Sequence, residues 1–367
     1  FKTLMIIASL GVFVGCVYSS GMMEVARKGI FNPGEFLFNE IMIIFIAVMI
    51  TDILILDLFN SWGLPTSTTV SIVFELLGAS VAMALIKIGV DNGSFTDLAT
   101  YINTSKATQI ILGILLSVFV AFSIGAIVQW VSRLLLSYDF KTKATWVGAI
   151  FGGIALTAIS YFVLMKGIKG TSYAGESFDL IGGVTIKDFL ESNVITIVTY
   201  SSIIWSLISF FLIRFFNVDI YKVIIGAGTF ALALAFAGND LVNFIGVPIA
   251  AWQSYEAWVV SGVAANEFSM QVLASKVPTP NFLLIIAGIV MVVTLWFSKK
   301  ARRVVKTEID LSTQGEVSER FNPNFLSRFI VMVGSSISTL FSKILPSSVK
   351  KTIEKRFEVP EILTSKI

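Results

Sequence analysis

The chain has 367 residues, 55% of them apolar and 14% charged, with a net charge of +3 and a mean hydropathy of +0.85. Soluble domains carry roughly 25% charged residues, so this composition excludes a water-soluble body for most of the chain. The single cysteine, Cys16, excludes an intramolecular disulfide, and the lack of histidine removes imidazole ligands and histidine catalysis, so redox chemistry, a metal site and a cofactor are not expected.

A bilayer core of about 30 Å is crossed by about 20 apolar residues in a helix. Runs near that length occupy 4–23, 41–59, 70–88, 109–131, 145–165, 194–216, 220–251 and 282–298, with a more polar, re-entrant candidate at 255–275. The expected fold class is therefore all-α, a polytopic transmembrane helical bundle spanning 1–298. The chain opens Phe1-Lys2-Thr3 with neither an initiator Met nor a small-residue cleavage site, so residue 1 is expected to be a cut end, and sequence is expected to be missing after Ile367 as well.

Three connections are basic: 132–144 with Arg133, Lys141 and Lys143; 214–222 with Arg214 and Lys222; and Lys299-Lys300-Ala301-Arg302-Arg303. The positive-inside rule assigns them to the cytoplasm and leaves 166–193 outside, although Arg27 and Lys28 then fall on the outer side. Thirteen of the 27 Lys and Arg lie in 299–367, read as a basic cytoplasmic insertion or tail. Within it, Phe325, Phe329, Val333 and Ile337 recur at helical spacing and predict an amphipathic helix, either solvated or drawn to anionic lipid. Gly148, Gly152 and Gly153 form a small-residue face for close helix packing, and Trp130, Trp146, Trp252 and Trp258 form an interfacial belt.

Function in such a chain is sought where polar groups interrupt apolar helices, since an ionisable group at mid-bilayer costs about 3 kcal/mol. The first interruption is Gly63-Leu64-Pro65-Thr66-Ser67-Thr68-Thr69-Val70-Ser71, ahead of an apolar run containing Glu75. Pro65 suits a helix start. Hydroxyls and first-turn N–H groups would then converge at the positive end of a helix dipole, where an oxyanion is favoured. Ser67, Ser71 and Glu75 stand at i, i+4 and i+8 on one face that runs from the anion toward a cation or proton site; the plainer reading is a Ser/Thr cap and a bundle hydrogen bond.

The second interruption is Phe236-Ala237-Gly238-Asn239-Asp240-Leu241-Val242-Asn243-Phe244-Ile245-Gly246-Val247-Pro248. Asn239, Asp240 and Asn243 lie close on a helix and supply hard oxygens suited to Na⁺. The flanking glycines and Pro248 predict a broken helix whose freed carbonyls add to the coordination; the alternative is a buried polar cluster that locks helices. Asp52, Asp57, Asn266 and Glu267 are weaker candidates.

With both elements in view, residues 1 to about 298 resemble the inorganic phosphate transporter family. Gly63-Leu64-Pro65-Thr66-Ser67-Thr68-Thr69 is similar to its G-x-P-x-S-T-T element, and Gly238-Asn239-Asp240-Leu241-Val242-Asn243 to its G-A-N-D-x-x-N signature; Gly21–Ile30 is similar to the segment between the two elements of the first half. Val70 stands where the family often has His, Gly238 where Ala is usual, and the insertion at 299–367 follows the Asn-Asp element, where many members carry it before.

The resemblance implies inverted repeats with discontinuous helices, with the first Asn-Asp motif and the second Ser-Thr-Thr motif absent from this chain. It implies phosphate contacts from Ser67, Thr68, Thr69 and Asn243, and cation contacts from Asn239, Asp240 and Thr66; Glu75 joins the cation set by helix geometry. The implied activity is a transporter's, not an enzyme's: import of inorganic phosphate across the plasma (inner) membrane by symport with Na⁺ or H⁺, with lipid as a partner, a homodimer left open and no nucleic acid. A sulfate or other oxyanion permease is the alternative, and an intramembrane aspartyl protease using Asp52 and Asp240 a more distant one.

Overall fold

The computed structural model describes residues 2–17, 29–138, 140, 145–169, 177, 183–274, 281–312, 322–344 and 346–357; the side chains of 166–169, 239, 240, 242, 243, 281, 308–312, 341 and 342 are not among them. The chain is helical throughout: α1 (Lys2–Val17), α2 (Phe38–Trp62), α3 (Thr68–Val90), α4 (Leu98–Tyr101), α5 (Thr104–Leu136), α6 (Thr145–Lys169), α7 (Ile186–Ser192), α8 (Val194–Phe216), α9 (Ile220–Ser261), α10 (Asn281–Phe297), α11 (Lys299–Ser312), α12 (Phe325–Ile344) and α13 (Ser347–Phe357). Among the described residues, extended pairing is limited to isolated bridges.

Among the described residues, each of the eight apolar runs falls on a helix. Among the described residues, α2, α3, α5, α8 and the stretches Thr145–Met165 and Ile220–Gly238 are long and apolar enough to cross a membrane. A seventh span results if α10 and α11, bent by 72° where they meet, are counted together. Their outward side chains stay apolar, as with Ile53 and Phe119, 62% and 69% exposed, which is expected where hydrocarbon replaces water. The re-entrant reading of 255–275 is replaced by another arrangement: 255–261 complete α9, and Met270–Ala274 forms one 3-10 turn.

The chain divides into two compact units, residues 1–114 with 148–309, and residues 115–147 with 310–367. In the first unit, α1 runs parallel to α9. A Cβ on Gly11 would lie 2.6 Å from the Phe230 carbonyl oxygen, and one on Gly15 would collide with the carbonyl of Leu234. Helices in lipid gain little from burying apolar surface against one another, so such backbone-level approach through small residues supplies the attraction. The predicted glycine face on α6 works the same way, with Gly152 against Ser209 and Gly153 against Ser206 of α8. Antiparallel α10 closes α1 from the other side: Gly288 abuts Cys16, and Trp296 Nε1 donates to Ser9 Oγ at 2.8 Å.

A second core joins α2 and α3 to α9 through Ile41, Phe45, Val48, Ile72, Leu76, Val247 and Ala250. At one end of it the 29–38 segment pairs with 265–270: Phe38 N–H donates to the Phe268 carbonyl at 2.9 Å and Met270 N–H to that of Phe36 at 3.0 Å. Lys87 of α3 seals this end, donating to Glu40 Oε2 and to the Glu35 carbonyl, both at 2.9 Å.

At the opposite end, Lys300 pairs with Asp57 and Arg303 donates to the Ser61 carbonyl at 3.3 Å, so the start of α11 lies beside the end of α2. Because α9 is parallel to α1 and α10 antiparallel to it, the basic connection before α9 emerges at this end too. Two of the three basic connections thus share one end of the unit.

In the second unit, the exposed apolar stretch of α5 ends at Arg133, whose guanidinium lies 5.6 Å from the Tyr138 ring and 5.1 Å from the Phe357 ring of α13. Ser137 Oγ donates to the Arg356 carbonyl at 3.0 Å.

Candidate functional site

The first polar element folds as a helix-to-helix corner. Gly63 ends α2 in the left-handed region at φ 66, which glycine adopts without a Cβ penalty, and Leu64 N–H returns to the Phe59 carbonyl at 2.9 Å. Leu64, Pro65 and Thr66 then form a short non-helical link. Pro65 does not start the next helix: Ser67 is the N-cap, its Oγ accepting from Val70 N–H at 3.3 Å, and α3 begins at Thr68. The physical reason is that a serine cap satisfies a donor of the first turn, which Pro65 could not do.

Along α3 the face read from spacing is present. Ser71 Oγ donates to Glu75 Oε1 at 2.5 Å. Thr66, Ser67, Ser71 and Glu75 line one cavity of about 730 Å³, together with Val70, Phe74, Gly78 and Ala79 of α3 and Ala47, Thr51, Ile55 and Phe59 of α2. Thr68 and Thr69 are half-buried in the first turn and are not among the lining residues. Sequence spacing did not single out Thr51, whose hydroxyl, bonded to the Ala47 carbonyl at 2.8 Å, lines the opposite wall. Its signal was only a hydroxyl four residues from Ile55 in an apolar helix.

Glu75 lies eight residues, or about 12 Å along the axis, inward from the Ser67 cap. It is 9% exposed, and its Oε2 has no hydrogen-bond partner among the described residues. Asp52 of α2 is also buried and is near enough for the two carboxylates to repel. A pair of buried carboxylates, one with an unused oxygen, beside a hydroxyl-lined cavity is a place to take up a proton or a small cation.

Asp57 is instead exposed and paired with Lys300, and Asn266 and Glu267 are exposed at a turn.

The second polar element is carried on α9, and here the break expected from its glycines and Pro248 is absent. The helix runs unbroken for 42 residues with Pro248 inside it. A proline removes one donor and bends a helix without necessarily ending it. Packing of α9 on α1 at one level and on α2 and α3 at another holds it through Gly238 and Gly246. The side chains of Asn239, Asp240 and Asn243 lie outside the described residues, as does most of the Gly21–Ile30 stretch. Along α9, Asn239 and Asp240 fall within the level at which Ala237 and Leu241 join the Cys16–Leu284 cluster of α1 and α10, and Asn243 falls between that level and the one at which Val247 and Ala250 join the α2–α3 core.

The model of the phosphate transporter family matches residues 1–349. A provisionally named phosphate permease of Pyrococcus abyssi is 25% identical over 341 residues, covering 91% of this chain and 75% of its own length. Counterparts of the same name in Pyrococcus horikoshii and Pyrococcus furiosus are each 24% identical over 348 residues, covering 91% and 90% of this chain and 74% and 72% of theirs. Among solved structures, one titled the sodium-dependent phosphate transporter shares 18% identity at a TM-score of 0.49, over 83% of this chain and 67% of that one. The family comprises permeases, which sets aside the protease alternative, and this chain belongs to the phosphate transporter family.

Proposed function

We propose that the protein imports inorganic phosphate by symport with Na⁺ or H⁺, binding the anion at the Ser67 end of the α2–α3 cavity and the coupling cation deeper, toward Glu75. The observation that carries this reading is the placement of Thr66, Ser67, Ser71 and buried Glu75 in a single cavity. Hydroxyls and the positive end of the α3 dipole suit an oxyanion without a formal positive charge. The unpartnered carboxylate oxygen of Glu75 suits a cation or proton. Co-binding lowers the charge that must enter a low dielectric.

Family resemblance adds Thr68, Thr69 and Asn243 to the phosphate contacts, and Asn239, Asp240 and Thr66 to the cation contacts. Alternating access would then come from rocking one group of helices against another around this site. The basic end of the first unit, with Lys299–Arg303, is taken as cytoplasmic in the plasma membrane.

The test is radiolabelled phosphate uptake into proteoliposomes under a Na⁺ gradient or a pH gradient, comparing wild type with Glu75→Gln and Asp240→Asn. Gradient-driven uptake that is lost in both variants supports the reading, and the effective gradient names the ion. Transport of sulfate but not phosphate would replace the substrate, and unchanged uptake in both variants would remove the proposed cation site.

A further inference from the structure

The second unit carries a surface that includes none of the candidate site residues. Helix α12 exposes Phe325, Leu326, Phe329, Ile330, Val333, Ile337 and Leu340, which at 100° per residue fall within an arc of about 140°; Met332 borders that arc and Val331 is the exposed apolar residue on the other side. Ser335 and Ser338 stand on the opposite side. Helix α13 follows after Ile344 and is strongly basic, with Lys350, Lys351, Lys355 and Arg356 against a single acid, Glu354.

One end of this surface is anchored, at α13. Its C-terminal residues are bound to the end of the α5 span, through Ser137 on the Arg356 carbonyl and Arg133 over the Phe357 ring. Arg133 lies in the last turn of α5, a helix long and apolar enough to cross a membrane, whose most apolar stretch is uncovered by the other described residues. The basic helix is therefore held at the level where a membrane span leaves the hydrocarbon, which is the level of lipid headgroups.

We propose that α12 and α13 form an interfacial platform that lies on the bilayer, with the apolar arc of α12 in the acyl boundary and the basic residues of α13 on anionic phospholipid headgroups. Three observations select lipid as the occupant. The apolar arc is unoccupied among the described residues, the adjoining charge is of the sign that anionic lipid attracts, and the attachment to α5 keeps the membrane surface within reach at all times. A wholly aqueous partner would not require that attachment.

The experiment uses the full chain in proteoliposomes of phosphatidylcholine with or without phosphatidylglycerol. Phe329→Cys, Ile337→Cys and Ser335→Cys are labelled separately with a fluorophore; Cys16, 0% exposed, stays in place and unlabelled. Brominated lipid should quench positions 329 and 337 severalfold more than 335, more strongly with phosphatidylglycerol. Replacing Lys350, Lys351, Lys355 and Arg356 by Gln should remove that lipid dependence. Equal quenching at all three positions, or dependence on lipid charge that survives the four substitutions, would overturn the proposal. So would Phe329→Cys chains that cross-link in pairs and resist lipid quenching, which would assign the arc to a second copy.

Discussion

Replacing Ser71 by Ala removes the single described hydrogen bond to Glu75, a 2.5 Å contact to a carboxylate whose other oxygen is already without a described partner. Hydrogen bonds to a charged group contribute about 1.5–3 kcal/mol and neutral ones about 0.5–1.5 kcal/mol, and stranding a buried charged acceptor puts the loss at the upper end. A destabilisation of about 2–3 kcal/mol is expected for an ionised Glu75, with phosphate uptake reduced more than about tenfold if Ser71 also positions Glu75 for the cation. The protein supplies its own reporter of unfolding, because Cys16 is its single thiol and is fully buried between α1, α9 and α10. Titration with a denaturing detergent, read by maleimide labelling of Cys16, gives the stability of wild type, Ser71→Ala, Glu75→Gln and the double variant. The four values close a cycle in which a coupling energy above about 1 kcal/mol is expected for a direct pair. Strictly additive effects would refute the pairing and with it the argument that Ser71 presents Glu75 to the cavity.

Ser67 acts as both cap and proposed phosphate contact, and the two roles separate by substitution. Ser67→Ala should cost about 0.5–2 kcal/mol of stability, while Ser67→Asp keeps the cap yet places a negative charge at the anion site, so it should fold normally in the same titration and fail to take up phosphate. Gly15→Ala would drive a methyl into the Leu234 backbone, which has no side chain to turn aside, and should destabilise the protein by about 1–3 kcal/mol in the detergent titration followed by tryptophan fluorescence. Lys300→Ala removes an ion pair whose side chains are 45% and 61% exposed, so the same titration should move by less than about 1 kcal/mol.

The apolar runs were legible because bilayer thickness imposes one length on every crossing, and the Ser67–Ser71–Glu75 face because helical spacing alone brings those groups together. Four things escaped the sequence. Pro65 is compatible with a helix start, but which residue caps is decided by which side chain reaches the first-turn N–H, and Ser67 does. The unbroken course of α9 through Pro248 depends on packing against α1, α2 and α3, contacts from residues far away in the sequence, such as Cys16 with Leu241, that no local pattern encodes. The pairing of 29–38 with 265–270 is made by main-chain groups, whose partners leave no mark in residue type. Gly11 and Gly15 were equally silent, since a glycine in an apolar run marks a close approach only once the facing helix is known.

The main-chain contact of α1 with α9 also bears on how the protein can move. Two helices meeting through side chains can slide by letting rotamers hop, but α1 and α9 meet through Gly11 and Gly15 against carbonyl groups, and a shift of one residue would thrust a Cβ into the junction. They must travel together as one stiff keel. Any displacement that opens the α2–α3 cavity to alternate sides of the membrane must then be taken up along the layer of Ile41, Phe45, Val48 and Leu76 facing Val247 and Ala250, where deformable side chains separate the keel from the helices that line the cavity.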